Sequence, residues 1–155
     1  MGREIERKFL VVGTPWSDGD AHCQEMSQAY LGGERASVRV RTAGDDAWLN
    51  IKSRELGASR QEFEYPIPLA DARELMKLAG KPVAKRRHWI DYQGFTWEVD
   101  EFLGDNVGLV VAEIELPAVD APFARPHWLG REVTEDPRYY NTWLAEHPYR
   151  TWSER

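Results

Sequence analysis

One cysteine in 155 residues, Cys23, excludes an internal disulfide. Histidine is also scarce: His22, His88, His127 and His147 lack the spacing of zinc ligands, and without a thiolate cluster no zinc site is expected. No apolar run approaches the roughly 20 residues that a membrane-crossing helix needs. The first residues carry no signal-peptide core, and Glu6 stands where a myristoylation pattern requires Ser or Thr. Positive charge is in deficit, with 20 Lys and Arg against 26 Asp and Glu, and the net charge of -6 argues against a general nucleic-acid binder. The expectation is a chain of the reducing cytoplasm, without membrane or nucleic-acid partners, in which any polyanion must enter a locally positive site. With no internal repeat, low-complexity tract or linker, residues 1–155 read as one domain.

Alternation and β-branched or aromatic content predict eight strands, at about residues 3–12, 24–32, 36–43, 46–54, 60–68, 83–92, 95–103 and 109–117. Short breakers such as Gly32-Gly33, Ala43-Gly44-Asp45-Asp46, Gly57-Ala58-Ser59 and Gln93-Gly94 suit hairpins between antiparallel neighbours. A helix is expected at about 70–78, where Leu69, Ala72, Leu75, Met76 and Ala79 recur at helical spacing before Gly80. Beyond Pro117 the chain becomes a Pro- and Trp-rich connection, followed by a helix near 138–146 that His147-Pro148 closes. That tail is expected to cover strand edges and apolar sheet surface, with closure of a tunnel mouth as the lesser option.

Sorting the strands by parity gives the central pattern, because residues i, i+2 and i+4 of a strand share a face. One face carries Glu4, Glu6 and Lys8, then Arg39 and Arg41, Lys52 and Arg54, Glu62 and Glu64, Lys85 and Arg87, Glu98 and Asp100, and Glu113 and Glu115. The other carries Ile5 and Phe9, Val38 and Val40, Leu49 and Ile51, Phe63, Tyr65 and Ile67, Trp97 and Val99, and Ala112, Ile114 and Leu116. Two architectures accommodate this. An open sheet with one wet face would hold cross-strand ion pairs worth a few tenths to ~1 kcal/mol each. A closed eight-stranded antiparallel barrel would instead turn the charges into a polar tunnel, leaving its apolar outside to be covered by the helices and tail. Clustering of like charges, as in Glu4/Glu6, Arg39/Arg41 and Glu113/Glu115, suits the second, in which buried acids take a hard divalent cation and bases take phosphate oxygens.

The ordered charged set resembles the CYTH superfamily, the triphosphate tunnel metalloenzymes. Their E-x-E-x-K strand is matched by Glu4-Ile5-Glu6-Arg7-Lys8. The similarity runs on through Arg39-Val40-Arg41, Lys52, Glu62-Phe63-Glu64, Lys85-Arg86-Arg87, Asp100 and Glu113-Ile114-Glu115, over nearly all the chain. The length and the segment Thr134 to Asn141 look most like short bacterial members, several of which are inorganic tripolyphosphatases.

The resemblance implies a mainly β fold, an eight-stranded antiparallel tunnel with a few helices, that hydrolyses a linear triphosphate with Mg²⁺ or Mn²⁺. It implies metal binding by Glu4, Glu6, Asp100, Glu113 and Glu115, and phosphate binding by Lys8, Arg39, Arg41, Lys52, Lys85 and Arg87. Glu4, Glu6, Lys8 and Lys85 are the expected catalytic residues, while Glu62, Glu64 and Tyr30 support them. Trp89, Trp97 and Trp143 read as packing rather than an adenine pocket. Thiamine triphosphatase, nucleoside triphosphatase, class IV adenylate cyclase and a noncatalytic polyphosphate-binding module are the alternative functions. The assembly state is open, a homodimer included.

Overall fold

The computed structural model describes residues 2–18, 22–54 and 56–153. Eight of its strands form the expected closed antiparallel barrel: β1 (Gly2–Val11), β2 (His22–Gly32), β3 (Ala36–Ala43), β4 (Asp46–Ser53), β5 (Ser59–Pro66), β6 (Val83–Tyr92), β7 (Phe95–Phe102) and β8 (Val110–Glu115). Around the barrel the order is β5-β4-β3-β2-β6-β7-β8-β1, and β1 closes it by pairing again with β5. Hairpins join most neighbours. At the β6–β7 turn Gln93 and Gly94 both take positive φ, 47° and 87°, the left-handed pair that suits the right-handed twist of a two-residue hairpin.

β1 is the seam. Its Glu6–Leu10 segment pairs with β8, while its other edge meets β5 at Gly2–Ile5. A ninth strand, β9 (Leu129–Glu132), continues along that edge opposite Phe9 and Val11. The sequence predicts connection here, because Leu-Gly-Arg-Glu is too short to show alternation. It becomes a strand because β5 covers only half of β1, leaving backbone groups to be paired. Gly130 permits the approach, since a Cβ there would lie 2.9 Å from Leu10 O.

A charged lumen forces the apolar faces outward, and each outer patch has its cover. α1 (Leu69–Leu78) lays Ala72 against Ala29, Val40 and Ala47, with Leu75 and Met76 alongside. On the opposite wall Phe9, Trp97, Val99, Ala112 and Ile114 lie beneath Trp128, with Phe123 packed against them. The Trp97 ring meets Phe9, Phe123 and Trp128 edge-on, with centroids 5.5–5.8 Å apart. Burying side chains of this size stabilises the fold by roughly 1.5–3 kcal/mol each.

The tail departs from expectation. Instead of one helix over 138–146, a 3-10 turn (Pro137–Tyr139) is followed by extended Tyr140 (φ -80°, ψ 142°) and then α2 (Asn141–Glu146). Asp136 caps the turn by accepting from Arg138 N, and the Tyr140 hydroxyl donates to Thr134 O, which holds that residue out of helix. Phe123 and Trp128 of the tail cover the outer wall as expected, but its last part does not. Tyr139 and Leu144 pack with Val83, Phe102, Val111 and Leu10, all of the parity of the charged residues on their strands. The tail therefore stops one end of the barrel from within. Leu144 is 1% exposed there, so Leu144→Ala is expected to cost about 2–5 kcal/mol in chemical denaturation. An unchanged midpoint would show that the stopper is no part of the cooperative fold.

Candidate functional site

Above this stopper the barrel holds a cavity of about 350 Å³ whose walls carry eight bases and six acids. The bases are Lys8, Arg39, Arg41, Lys52, Arg54, Arg60, Lys85 and Arg87; the acids are Glu4, Glu6, Glu62, Glu64, Glu98 and Glu113. A chain of net charge -6 thus encloses a basic interior. Strand alternation accounts for this, since the strands other than β2 contribute charges of one parity and the tilt of the barrel staggers them.

The deepest charges lie on β6 and β7. Asp100, 1% exposed, accepts from Lys85 Nζ at 2.8 Å and from Arg87 Nε and Nη2 at 2.8 and 2.9 Å. Arg87 Nη1 reaches on to Glu98 Oε2 at 2.8 Å. Around the wall Lys8 pairs with Glu113 at 3.3 Å, Lys52 with Glu4 at 2.9 Å, and Arg41 with Glu64 at 3.3 Å. Buried Asn50 donates to Glu64 Oε2 at 2.7 Å, and buried Gln28 donates to the Tyr30 hydroxyl at 3.1 Å. Arg39 differs. It is 7% exposed, and no carboxylate lies within ion-pair distance of it among the described residues. The Nε atoms of Arg39 and Arg41 are both buried without a hydrogen-bond partner.

Burial and crowding shift the protonation of these groups. Burial, with Glu113 close by, pushes the Glu6 carboxyl up to about 7. Burial and a hydrogen bond to Glu62 raise Glu4 against the pull of Lys52, and burial raises Glu98 against Arg87. Asp100 and Glu113 go the other way: burial opposes their ionisation, yet Arg87 and Lys85 hold Asp100 down, and Lys8, Arg87 and Lys85 hold Glu113 well down. Burial also draws Lys85 down to about 8 in spite of Asp100.

Most residues expected from the sequence meet at this cavity: Glu4, Glu6, Lys8, Tyr30, Arg39, Arg41, Lys52, Glu62, Glu64, Lys85, Arg87 and Glu113. Two do not line it. Asp100 lies behind the wall with both oxygens engaged by cations, and Glu115, at the end of β8, is exposed. Arg60 was missed, although it shares the parity of Glu62 and Glu64 on β5. Tyr140, Asn141 and Thr142 also line the cavity; they come from the tail, where no alternation marks them.

Among the described residues no three His, Cys, Asp or Glu side chains form a ready-made metal cage. The acids instead stand beside bases, and Glu6 has no ion-pair partner among the described residues. Such a donor set fits a hard divalent cation of the Mg²⁺ kind, which is held by one or two carboxylates and completed by phosphate oxygens and water. Chemically, then, the cavity suits a compact polyanion accompanied by a hard cation.

The CYTH domain family matches residues 2–141. The inorganic triphosphatase of Acetivibrio thermocellus is 47% identical over 157 residues, covering 99% of this chain and all of that protein. That of Nitrosomonas europaea is 39% identical over 148 residues, covering 92% and 96%. The crystal structure of the inorganic triphosphatase NE1496 superposes with a TM-score of 0.69 at 36% identity, over 92% of this chain and 93% of that one. From charged strand pattern to barrel to near full-length similarity, the chain belongs to the CYTH domain family.

Proposed function

We propose that this protein hydrolyses inorganic tripolyphosphate within the barrel, releasing orthophosphate and pyrophosphate. The observation that carries the reading is Arg39, a buried guanidinium facing a closed-ended basic cavity with no carboxylate at ion-pair distance among the described residues. Isolated buried cations are costly, and a phosphate chain supplies the missing anion. Relatives named inorganic triphosphatase, alike over nearly the whole chain, support the same substrate class. The lining offers little for an organic group: its charged residues dominate, and the Tyr140 ring lies against Lys8 and Arg60.

In this reading Arg39 and Arg41 grip phosphate oxygens through paired N–H donors, while Lys8, Lys52, Lys85 and Arg87 add charge along the chain. Water attacks the terminal phosphorus in line with the anhydride oxygen. One P–O bond forms, the anhydride P–O bond breaks, and the charge gathering on the leaving pyrophosphate is stabilised by the bases already in place. No covalent link to the protein is required. Glu4, Glu6 and Glu113 are the carboxylates proposed to hold a divalent cation, Mg²⁺ or Mn²⁺. When bound, it would neutralise phosphate charge and favour attack by water. Asp100 is assigned the support of Lys85 and Arg87, and Glu115 no direct part. Glu62 and Glu64 orient Lys52 and Arg41, the bases they face.

Orthophosphate release from tripolyphosphate, pyrophosphate, ATP and thiamine triphosphate tests the reading, with Mg²⁺ or Mn²⁺ and with chelator. Cation-dependent turnover strongest on tripolyphosphate is expected, and Glu6→Gln should abolish most of it while leaving the fold intact. Preference for an organic triphosphate, or full activity of Glu6→Gln, would overturn substrate or role respectively. Arg39→Ala should weaken tripolyphosphate binding by roughly 1.5–3 kcal/mol, the worth of a charge-assisted contact; equal calorimetric affinity would remove Arg39 from the site.

Metal-free stability supplies an independent check. Folded protein keeps the Glu6 proton to about pH 7, whereas an ordinary glutamate releases it near 4.5. The folded state thus binds the extra proton in that window, and stability falls as pH rises through it. In chelator, wild type should lose stability between these pH values relative to Glu6→Gln. Parallel curves for the two proteins would contradict the assignment.

A further inference from the structure

The tail brings more than an apolar stopper to the cavity. Tyr140 presents its ring to two cavity cations, with Lys8 Nζ 5.2 Å and the Arg60 guanidinium carbon 5.3 Å from the ring centroid. These bases come from different strands, β1 and β5. Lys8 Nζ also pairs with Glu113 at 3.3 Å and donates to Tyr139 O at 3.4 Å. An ammonium has three N–H groups, so these acceptors leave one for a ligand. Arg60 Nη2 donates to Gly57 O at 3.1 Å, its Nε is buried without a hydrogen-bond partner, and no carboxylate pairs with it among the described residues.

The ring is itself held in place. Its hydroxyl donates to Thr134 O, and the Thr134 hydroxyl oxygen accepts from Lys8 N at 3.0 Å. Val133 N donates to Lys8 O at 2.8 Å. Tail and β1 are thus bonded together at the lysine that the ring orients. A cation against an aromatic face is attracted by the ring quadrupole, more strongly where water is excluded. Without the ring, Lys8 and Arg60 would each keep a hydrogen bond to a backbone carbonyl but lose the contact that they share. Asn141, the next residue, adds a buried Oδ1 without a hydrogen-bond partner to the same wall.

We propose that Tyr140 is a positioning residue of the phosphate cavity, holding Lys8 and Arg60 so that both meet one phosphate chain. Docking of the C-terminal segment is then a condition of substrate binding. This rests on the reading of the cavity as a triphosphate site.

The test compares wild type, Tyr140→Leu, Tyr140→Phe, Arg60→Gln and the Leu/Gln double variant. Tripolyphosphate affinity is measured by calorimetry in chelator, and hydrolysis with Mg²⁺ gives KM and kcat. Tyr140→Leu should bind about tenfold more weakly, with KM rising more than kcat falls. Tyr140→Phe, which keeps the ring, should recover most of that loss, and in the Arg60→Gln background the penalty of Tyr140→Leu should shrink. Thermal melting checks folding; if the leucine variant does not fold, Tyr140→Met takes its place under the same criteria. Affinity of Tyr140→Leu within twofold of wild type overturns the proposal. So does Tyr140→Phe as weak as Tyr140→Leu, or penalties that simply multiply in the double variant. Wild type that binds tripolyphosphate without hydrolysing it overturns the triphosphatase reading alone, and the binding comparison still decides the role of Tyr140. Wild type that does not bind overturns both.

Discussion

Asp100 between Lys85 and Arg87 is the interaction on which the rest of the molecule depends. All three are at least nine-tenths buried, at a depth where an unpaired ion costs several kcal/mol. One carboxylate serving two cations leaves a residual positive charge at the cavity wall, part of which Glu98 takes up through Arg87. The apolar consequences follow from the same choice. With charge inside, Trp97, Phe9 and their neighbours must face out, so α1 and the segment leading to Trp128 exist as covers. A barrel of this size with an apolar interior would need neither.

The contrast between an acidic chain and a basic cavity has a physical use. Acidic residues on the exterior disfavour loose attachment of polyanions, while a closed-ended cavity of low dielectric concentrates positive potential where a short phosphate chain can be surrounded. Buried acids in the same wall keep that potential from becoming indiscriminate. Glu6, without an ion-pair partner among the described residues, has its carboxyl pushed up to about 7 by burial and by Glu113.

Much of this was legible in the linear chain. Glu4, Glu6 and Lys8, Arg39 and Arg41, and Lys85 and Arg87 repeat at the two-residue period, and that period already separates an interior face from an exterior one. Arg60 carried the same signal on β5 and was overlooked. β9 was not legible, since four residues without alternation become a strand only because an edge of β1 awaits them. The broken tail helix was hidden for a similar reason: Tyr140 is held extended by its hydrogen bond to Thr134, a contact made within the folded tail.

Parity is a property of the local backbone, so the amino-acid sequence by itself determined which charges share a face, and with it the polar lumen and the apolar exterior. Depth along the barrel is not local. Asp100 and Glu115 have the parity of the cavity residues, yet one lies behind the wall and the other in solvent, because strand tilt and register set the level of each side chain. The same long-range pairing brought Tyr139 and Tyr140 against Lys8, more than 100 residues earlier in the chain. Only the closed tertiary structure decided which charges meet a common ligand and what stops the tunnel.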